Sequence, residues 1–297
     1  MLKKKLVSIA LTIILSFTSI TVYGDMDISS KSALLMDSTS GDIIFAVNEK
    51  EELPPASITK IMTLLLTMEA LDSNKINLSD EVNISENASK MAGTSIYLDV
   101  GEMQTVENLI KAISIRSAND ACVAIAEHIS GSEESFVALM NEKAEILGME
   151  NTHFSNSTGL PIENHYTTAY DTAIMSRELL MYPNILKYLG IYMEDLKVGK
   201  SKTSIQTMVN TNRLVKNYDG ANGIKTGYTE EAKHCISASA KRGDLQLIAV
   251  ILGASTSPLR FEEATNLLDH GFSNYESISI GKKGDIFSNI QIGRAHV

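Results

Sequence analysis

Three short segments of this chain hold residue types that could do chemistry together. Ser57-Ile-Thr-Lys60 sets a hydroxyl and an amine three residues apart. On a helix those positions share one face, so the amine reaches the hydroxyl. A serine hydroxyl is a poor nucleophile until an adjacent base takes its proton. A lysine can be that base only if burial or nearby positive charge lowers its pKa. Taken alone, S-x-x-K is common and fits a solvated helix end equally well. Ser117-Ala-Asn119 falls between two predicted helices, where a turn can present polar side chains to a cleft; by itself it reads as helix capping. Lys225-Thr226-Gly227 precedes a predicted hairpin. Gly227 has no side chain, so a substrate backbone can lie close to that strand, and Lys225 and Thr226 can hold an anionic group. Its bland reading is a surface strand ending in a glycine turn.

The surrounding pattern supplies elements that can position these groups. Ser32–Met36 and Asp42–Val47 are apolar runs around Ser38-Thr-Ser-Gly41, a hairpin signature. Ile58–Leu71 is an apolar run without Gly or Pro and predicts a buried helix. Residues 75–190 read as mainly helical. Val106–Ile115, Ala121–Ile129 and Phe136–Leu147 have apolar residues at three- and four-residue steps, with Gly131 and Gly148 as stops. Thr168 and Asp171 fit a capping box opening a helix to Met181. From about 191 the pattern turns to strands, with a long hairpin over Cys235–Ala240 and Leu245–Leu252, then a helix over Pro258–His270. This order predicts an α+β fold in which helices flank an antiparallel sheet.

Composition narrows the function classes. The chain has 297 residues, 44% hydrophobic and 21% charged, with a formal net charge of −10, which argues against a general nucleic-acid surface. Lys3–Lys5 followed by the uncharged run Leu6–Ile20, with Val22 and Gly24 before Asp25, predicts a secretory signal peptide over residues 1–24 and work outside the cytoplasmic membrane. Cys122 and Cys235 read as two small buried residues. There is no H-E-x-x-H, G-x-S-x-G or Walker-type glycine loop. The scattered histidines make a metal site an unfavoured reading, and no cofactor is expected. His153, His165, His234 and His270 read as structural or surface residues. Ser277–Gln291 alternates like the start of a further β domain. The tail 292–297 matches what one reading frame of a common sequencing adapter encodes, and is expected to be artefact.

Taken together, Ser57, Ser117 and Lys225 reproduce the S-x-x-K, S-x-N, K-T-G set of penicillin-interacting serine enzymes. The wider segments Pro55–Thr63, Ser117–Asp120, Phe154–Pro161, His165–Asp171, Asp219–Thr229 and Leu252–Phe272 resemble the serine-type D-alanyl-D-alanine carboxypeptidases, the low-molecular-mass penicillin-binding proteins. The resemblance covers about residues 29–291. It implies a β-lactamase/transpeptidase-like sheet with a helical subdomain, the site lying between them. Residues 25–275 would be the catalytic domain and 276–291 the beginning of a small C-terminal β domain. A membrane-anchoring helix that would follow is missing from this chain.

The same resemblance assigns Ser57 as nucleophile, Lys60 as its base and Ser117 as a proton relay. Asn119 would hold the acyl chain, and Lys225 and Thr226 the terminal carboxylate, with Arg260 as a weaker candidate. Backbone N–H groups of Ser57 and Tyr228, beside Gly227, would form the oxyanion hole. Lys60 is expected to be a depressed base, because Lys225 adds positive charge nearby and the cleft is partly dry. Lys233-His234 departs from the glycine-containing turn usual at that point. The implied partners are a peptidoglycan stem peptide ending in D-Ala-D-Ala and β-lactam antibiotics. Alternatives with the same motifs are a D,D-endopeptidase, a serine β-lactamase and a non-turnover sensor. The lactamase reading is weakened by the lack of E-x-x-L-N between 119 and 225.

Overall fold

The computed structural model describes residues 26–278. The expected signal peptide, most of the expected hairpin over 277–291 and the adapter-like tail lie outside these residues. The chain opens with strands β1 (Ser32–Asp37) and β2 (Ile43–Val47), the predicted hairpin. A single 3-10 turn, Ala56–Thr59, leads directly into helix α1 (Lys60–Asp72). A small ribbon follows: β3 (Glu81–Asn83), helix α2 (Glu86–Ser89) and β4 (Met103–Thr105). Next come α3 (Val106–Lys111), a π-helical segment Ala112–Arg116, α4 (Asn119–Ser130), α5 (Glu133–Ile146), α6 (Ala169–Leu180) and the short α7 (Leu186–Leu189). A second ribbon joins β5 (Met193–Val198) to β6 (Ser204–Val209). The chain then forms the short helix α8 (Leu214–Asn217), β7 (Ala221–Thr229), β8 (Lys233–Arg242), β9 (Leu245–Ala254) and α9 (Ser257–Asn274).

Five strands make one antiparallel sheet in the order β2-β1-β9-β8-β7. The sequence of β9, Leu-Gln-Leu-Ile-Ala-Val-Ile-Leu, is almost continuously apolar because both of its faces are covered. Side chains alternate across a strand, so Leu247, Ala249 and Ile251 join Ala264, Leu267 and Leu268 of α9 in one core. Ile248, Val250 and Leu252 join Leu34, Met36 and the α1 side chains in the other. Helix α1 is buried on nearly every side from Lys60 to Met68. Its N-terminal residue therefore begins inside the protein.

Several expected elements differ in detail. The helix read over Val106–Ile115 is interrupted: α3 ends at Lys111, and the next turn widens into a π segment that closes on a left-handed Ser117. The stretch 75–190 also holds strands and long loops. β5 and β6 stay outside the main sheet. Thr168 caps α6 by accepting from the Asp171 N–H, but the Asp171 carboxylate does not complete a capping box. It accepts instead from the Asn151 N–H at 3.0 Å and the Thr152 hydroxyl at 2.8 Å. Gly131 and Gly148 stop their helices as read, and both cysteines are free and buried.

Candidate active site

The nucleophile segment is built at the junction of the 3-10 turn and α1. The Lys60 Nζ lies 3.0 Å from the Ser57 Oγ and also donates to the Thr158 carbonyl. Lys60 has no exposed surface, whereas Ser57 remains partly open. Burial lowers the Lys60 amine to about 8, against opposing pulls from Cys122 and Asp120. The expected cause was partly different: desolvation acts on Lys60, while Lys225 bears the mutual repulsion. Lys225 is 1% exposed and is held well below the lysine range by burial first, then by Lys60 and Arg260. Among the described residues it donates only to the carbonyl of Thr226, at 3.0 Å. Two buried amines that form no ion pair among the described residues make an electropositive site that favours an anion.

A loop over residues 155–161 presses the nucleophile segment into place. Gly159 has φ +84°, and a methyl there would lie 1.8 Å from the Ala56 carbonyl oxygen. Only glycine allows that approach. Behind it, His165 is buried and driven down to about 4 by desolvation, so it is neutral. Its Nδ1 accepts from the Ser155 N–H, which assigns the remaining proton to Nε2, 2.7 Å from the Thr59 hydroxyl. His165 is thus structural, as expected.

Ser117 is left-handed at φ +66°, and its buried hydroxyl has no partner among the described residues. Ala56, just before the nucleophile, is left-handed too, at φ +47°. Such strain gathers at functional sites and persists only where neighbours impose it. Asn119 is oriented by donating its Nδ2 to the Ala92 carbonyl at 2.6 Å. Asp120 accepts from the N–H groups of Ile96, Leu98 and Ala121, pinning loop 92–98 against α4. That anchoring role was not read from the sequence, although Asp120 stands in the Ser117–Asp120 segment.

β7 is an edge strand and abuts the nucleophile: a methyl at Gly227 would lie 3.1 Å from the Ser57 nitrogen. This close approach packs β7 against the backbone of the nucleophile turn. The Thr226 hydroxyl donates to that of Thr211, at 2.8 Å, a residue outside every motif read from the sequence. Tyr228 is 55% exposed and stacks on His234 at 4.4 Å, while Lys233 takes the left-handed conformation at φ +56° that a glycine would fill without strain. Arg260, a candidate for the substrate carboxylate, is buried and bonded to the backbone. Its Nη1 donates to the Gly227 carbonyl at 2.8 Å and to that of Cys235 at 3.2 Å. Arg260 thus braces β7 from behind.

The whole motif set, from the Ser57 turn to the Lys225 strand, falls in a region matched by the D-alanyl-D-alanine carboxypeptidase family, over residues 19–256. The chain belongs to that family. D-alanyl-D-alanine carboxypeptidase DacF of Bacillus subtilis is 49% identical over 263 residues, covering 89% of this chain and 67% of the relative. The chain spans about two thirds of the length of the curated relatives it matches. Penicillin binding protein 6B from Escherichia coli superposes with a TM-score of 0.80 at 33% identity, over 86% of this chain and 81% of that one. Penicillin-Binding Protein D2 from Listeria monocytogenes, solved in an ampicillin-bound form, gives 0.74 at 27% identity, over 83% and 99%. The fold of these penicillin-binding proteins is the fold of this chain. No helix among the described residues is long and apolar enough to cross a membrane.

Proposed function

We propose that this family member removes the terminal D-alanine from peptidoglycan stem peptides through an acyl-enzyme on Ser57. The observation that carries the reading is the fully buried Lys60 amine, depressed to about 8 and 3.0 Å from the Ser57 hydroxyl. Lys60 takes the hydroxyl proton as Ser57 attacks the carbonyl between the two D-alanines. The oxyanion is met by the N–H groups of Ser57 and Tyr228, donors each worth about 3–4 kcal/mol in a transition state. The unpartnered Ser117 hydroxyl passes a proton to the leaving D-alanine. Asn119 holds the acyl chain, and water then releases it.

The terminal carboxylate sits against Lys225 and Thr226, whose hydroxyl is set by Thr211. Its arrival makes the Lys225 cation favourable again, so protonation of Lys225 is linked to substrate binding. Arg260 contributes by holding the Gly227 carbonyl, and its charge adds to the field. β-Lactams, which carry a carboxylate and a reactive carbonyl, would acylate the same serine. The work is done outside the cytoplasmic membrane. Fluorescent penicillin should label the protein covalently, and a peptide ending in D-Ala-D-Ala should release D-alanine. Ser57→Ala should lose both while keeping its circular dichroism spectrum. Labelling that persists at another residue would overturn the assignment.

A further inference from the structure

Lys233-His234, where the sequence departs from the usual glycine-containing turn, lies beside the reacting groups and has no part in the steps above. In the antiparallel ladder His234 of β8 stands directly opposite Tyr228 of β7. Side chains so paired share one face of the sheet, and these two rings stack at 4.4 Å with 28° between their planes. Burial first, then Arg260 on α9 and the adjacent Lys233, hold the imidazole below its ordinary range, so it is neutral at pH 7. Its buried Nδ1 has no hydrogen-bond partner among the described residues. What His234 offers Tyr228 is a flat, neutral ring.

On the next rung of the ladder Gly227 pairs with Cys235, and the Arg260 Nη1 donates to both of their carbonyls, at 2.8 and 3.2 Å. The Gly227 carbonyl and the Tyr228 N–H belong to one planar peptide unit and point to opposite sides of the strand. Arg260 therefore fixes one end of that unit and turns the Tyr228 N–H away from itself. The other end of the unit is the Tyr228 Cα. β7 is an edge strand and runs out at Thr229, so on one side no neighbouring strand steadies Tyr228. The stack on His234 supplies that hold through the side chain.

We propose that His234 is a positioning residue for acylation: its ring holds Tyr228, and with it the backbone N–H that meets the oxyanion. The proposal rests on the carboxypeptidase reading and adds a residue to it. The test follows labelling by a fluorescent penicillin over a range of concentrations, which separates the limiting acylation rate from the affinity of the encounter complex. Loss of a stacked aromatic pair beside the donor should slow the limiting rate of His234→Ala about three- to tenfold, with affinity within about twofold of wild type. His234→Phe keeps a flat ring and should restore the rate to within about twofold. Tyr228→Ala should be slowed likewise, and adding His234→Ala to it should slow it no further. A structural role alone would lower the melting temperature and leave these rates and their coupling unmoved. A wild-type rate in His234→Ala, a loss confined to affinity, a folded His234→Phe as slow as His234→Ala, or losses that multiply in the double variant overturns the proposal. If His234→Ala does not fold, Tyr228→Ala carries the test, and an unchanged rate there overturns the proposal equally. Absence of both penicillin labelling and D-alanine release in the wild type would instead strike the carboxypeptidase reading itself.

Discussion

The state of Lys60 makes the sharpest prediction, with pH as the perturbation. An amine titrating at its ordinary 10.5 would be neutral in only about three molecules in ten thousand at pH 7. Burial brings Lys60 to about 8, which raises that share to about a tenth, a gain of roughly 300-fold in competent base. The sign follows from the chemistry: the base must be neutral, so acylation rises with pH through the Lys60 pKa. The second-order rate constant for a fluorescent penicillin should climb about fivefold from pH 7 to 8, then less than twofold from 8 to 9. His165 stays neutral across this window, because it titrates at about 4. The assay is labelling under pseudo-first-order conditions, with circular dichroism at each pH to confirm the fold. A tenfold rise per pH unit continuing past 9 would show an unperturbed lysine. A flat profile would show that Lys60 is not the base.

Two further substitutions test the supports of the site. Gly159→Ala puts a methyl against the Ala56 carbonyl at φ +84°; it should cost about 1–3 kcal/mol of stability and slow acylation more than a hundredfold, because the displaced carbonyl adjoins the nucleophile. Thermal unfolding and labelling rates check both, and near-wild-type values in the pair would remove the loop from the account. Arg260→Lys replaces a fork that grips the Gly227 and Cys235 carbonyls with a single amine. It should lose about 1.5–3 kcal/mol, the usual worth of hydrogen bonds to a charged group, and slow acylation about tenfold, because the strand carrying Tyr228 loosens. A melting temperature and rate equal to the wild type would show that β7 needs no brace.

Much of the fold was legible because its signals are local. The β9 run, the hairpin with β8 and the α1 run each satisfy one periodicity over their whole length. The readings failed where distant contacts override local preference. Nothing between Val106 and Arg116 breaks a helix, yet the turn before Ser117 opens into a π segment, where α3, α4 and α7 all pack close. β5 and β6 alternate like sheet strands, but the sequence does not say which sheet they join. The Asp171 carboxylate was assigned to its own helix cap, because the competing donors on Asn151 and Thr152 lie 19–20 residues away.

The site divides along the same line. The sequence by itself determined the reacting groups: the three-residue spacing of Ser57 and Lys60 sets their approach whatever surrounds them, since helix geometry is a property of the backbone. Only the tertiary structure decided that Lys60 is fit to be a base. Its desolvation sums over α1, α4 and loop 155–161, and no local pattern encodes such a sum. The same holds for Lys225, whose proton depends on a lysine far away in the chain. It holds for Arg260, whose Nη1 meets the carbonyls of Gly227 and Cys235 from two strands, and for Gly159, whose missing side chain makes sense only against the carbonyl of Ala56. Residue types are local facts, whereas burial, charge coupling and close approach arise only once remote segments share a space.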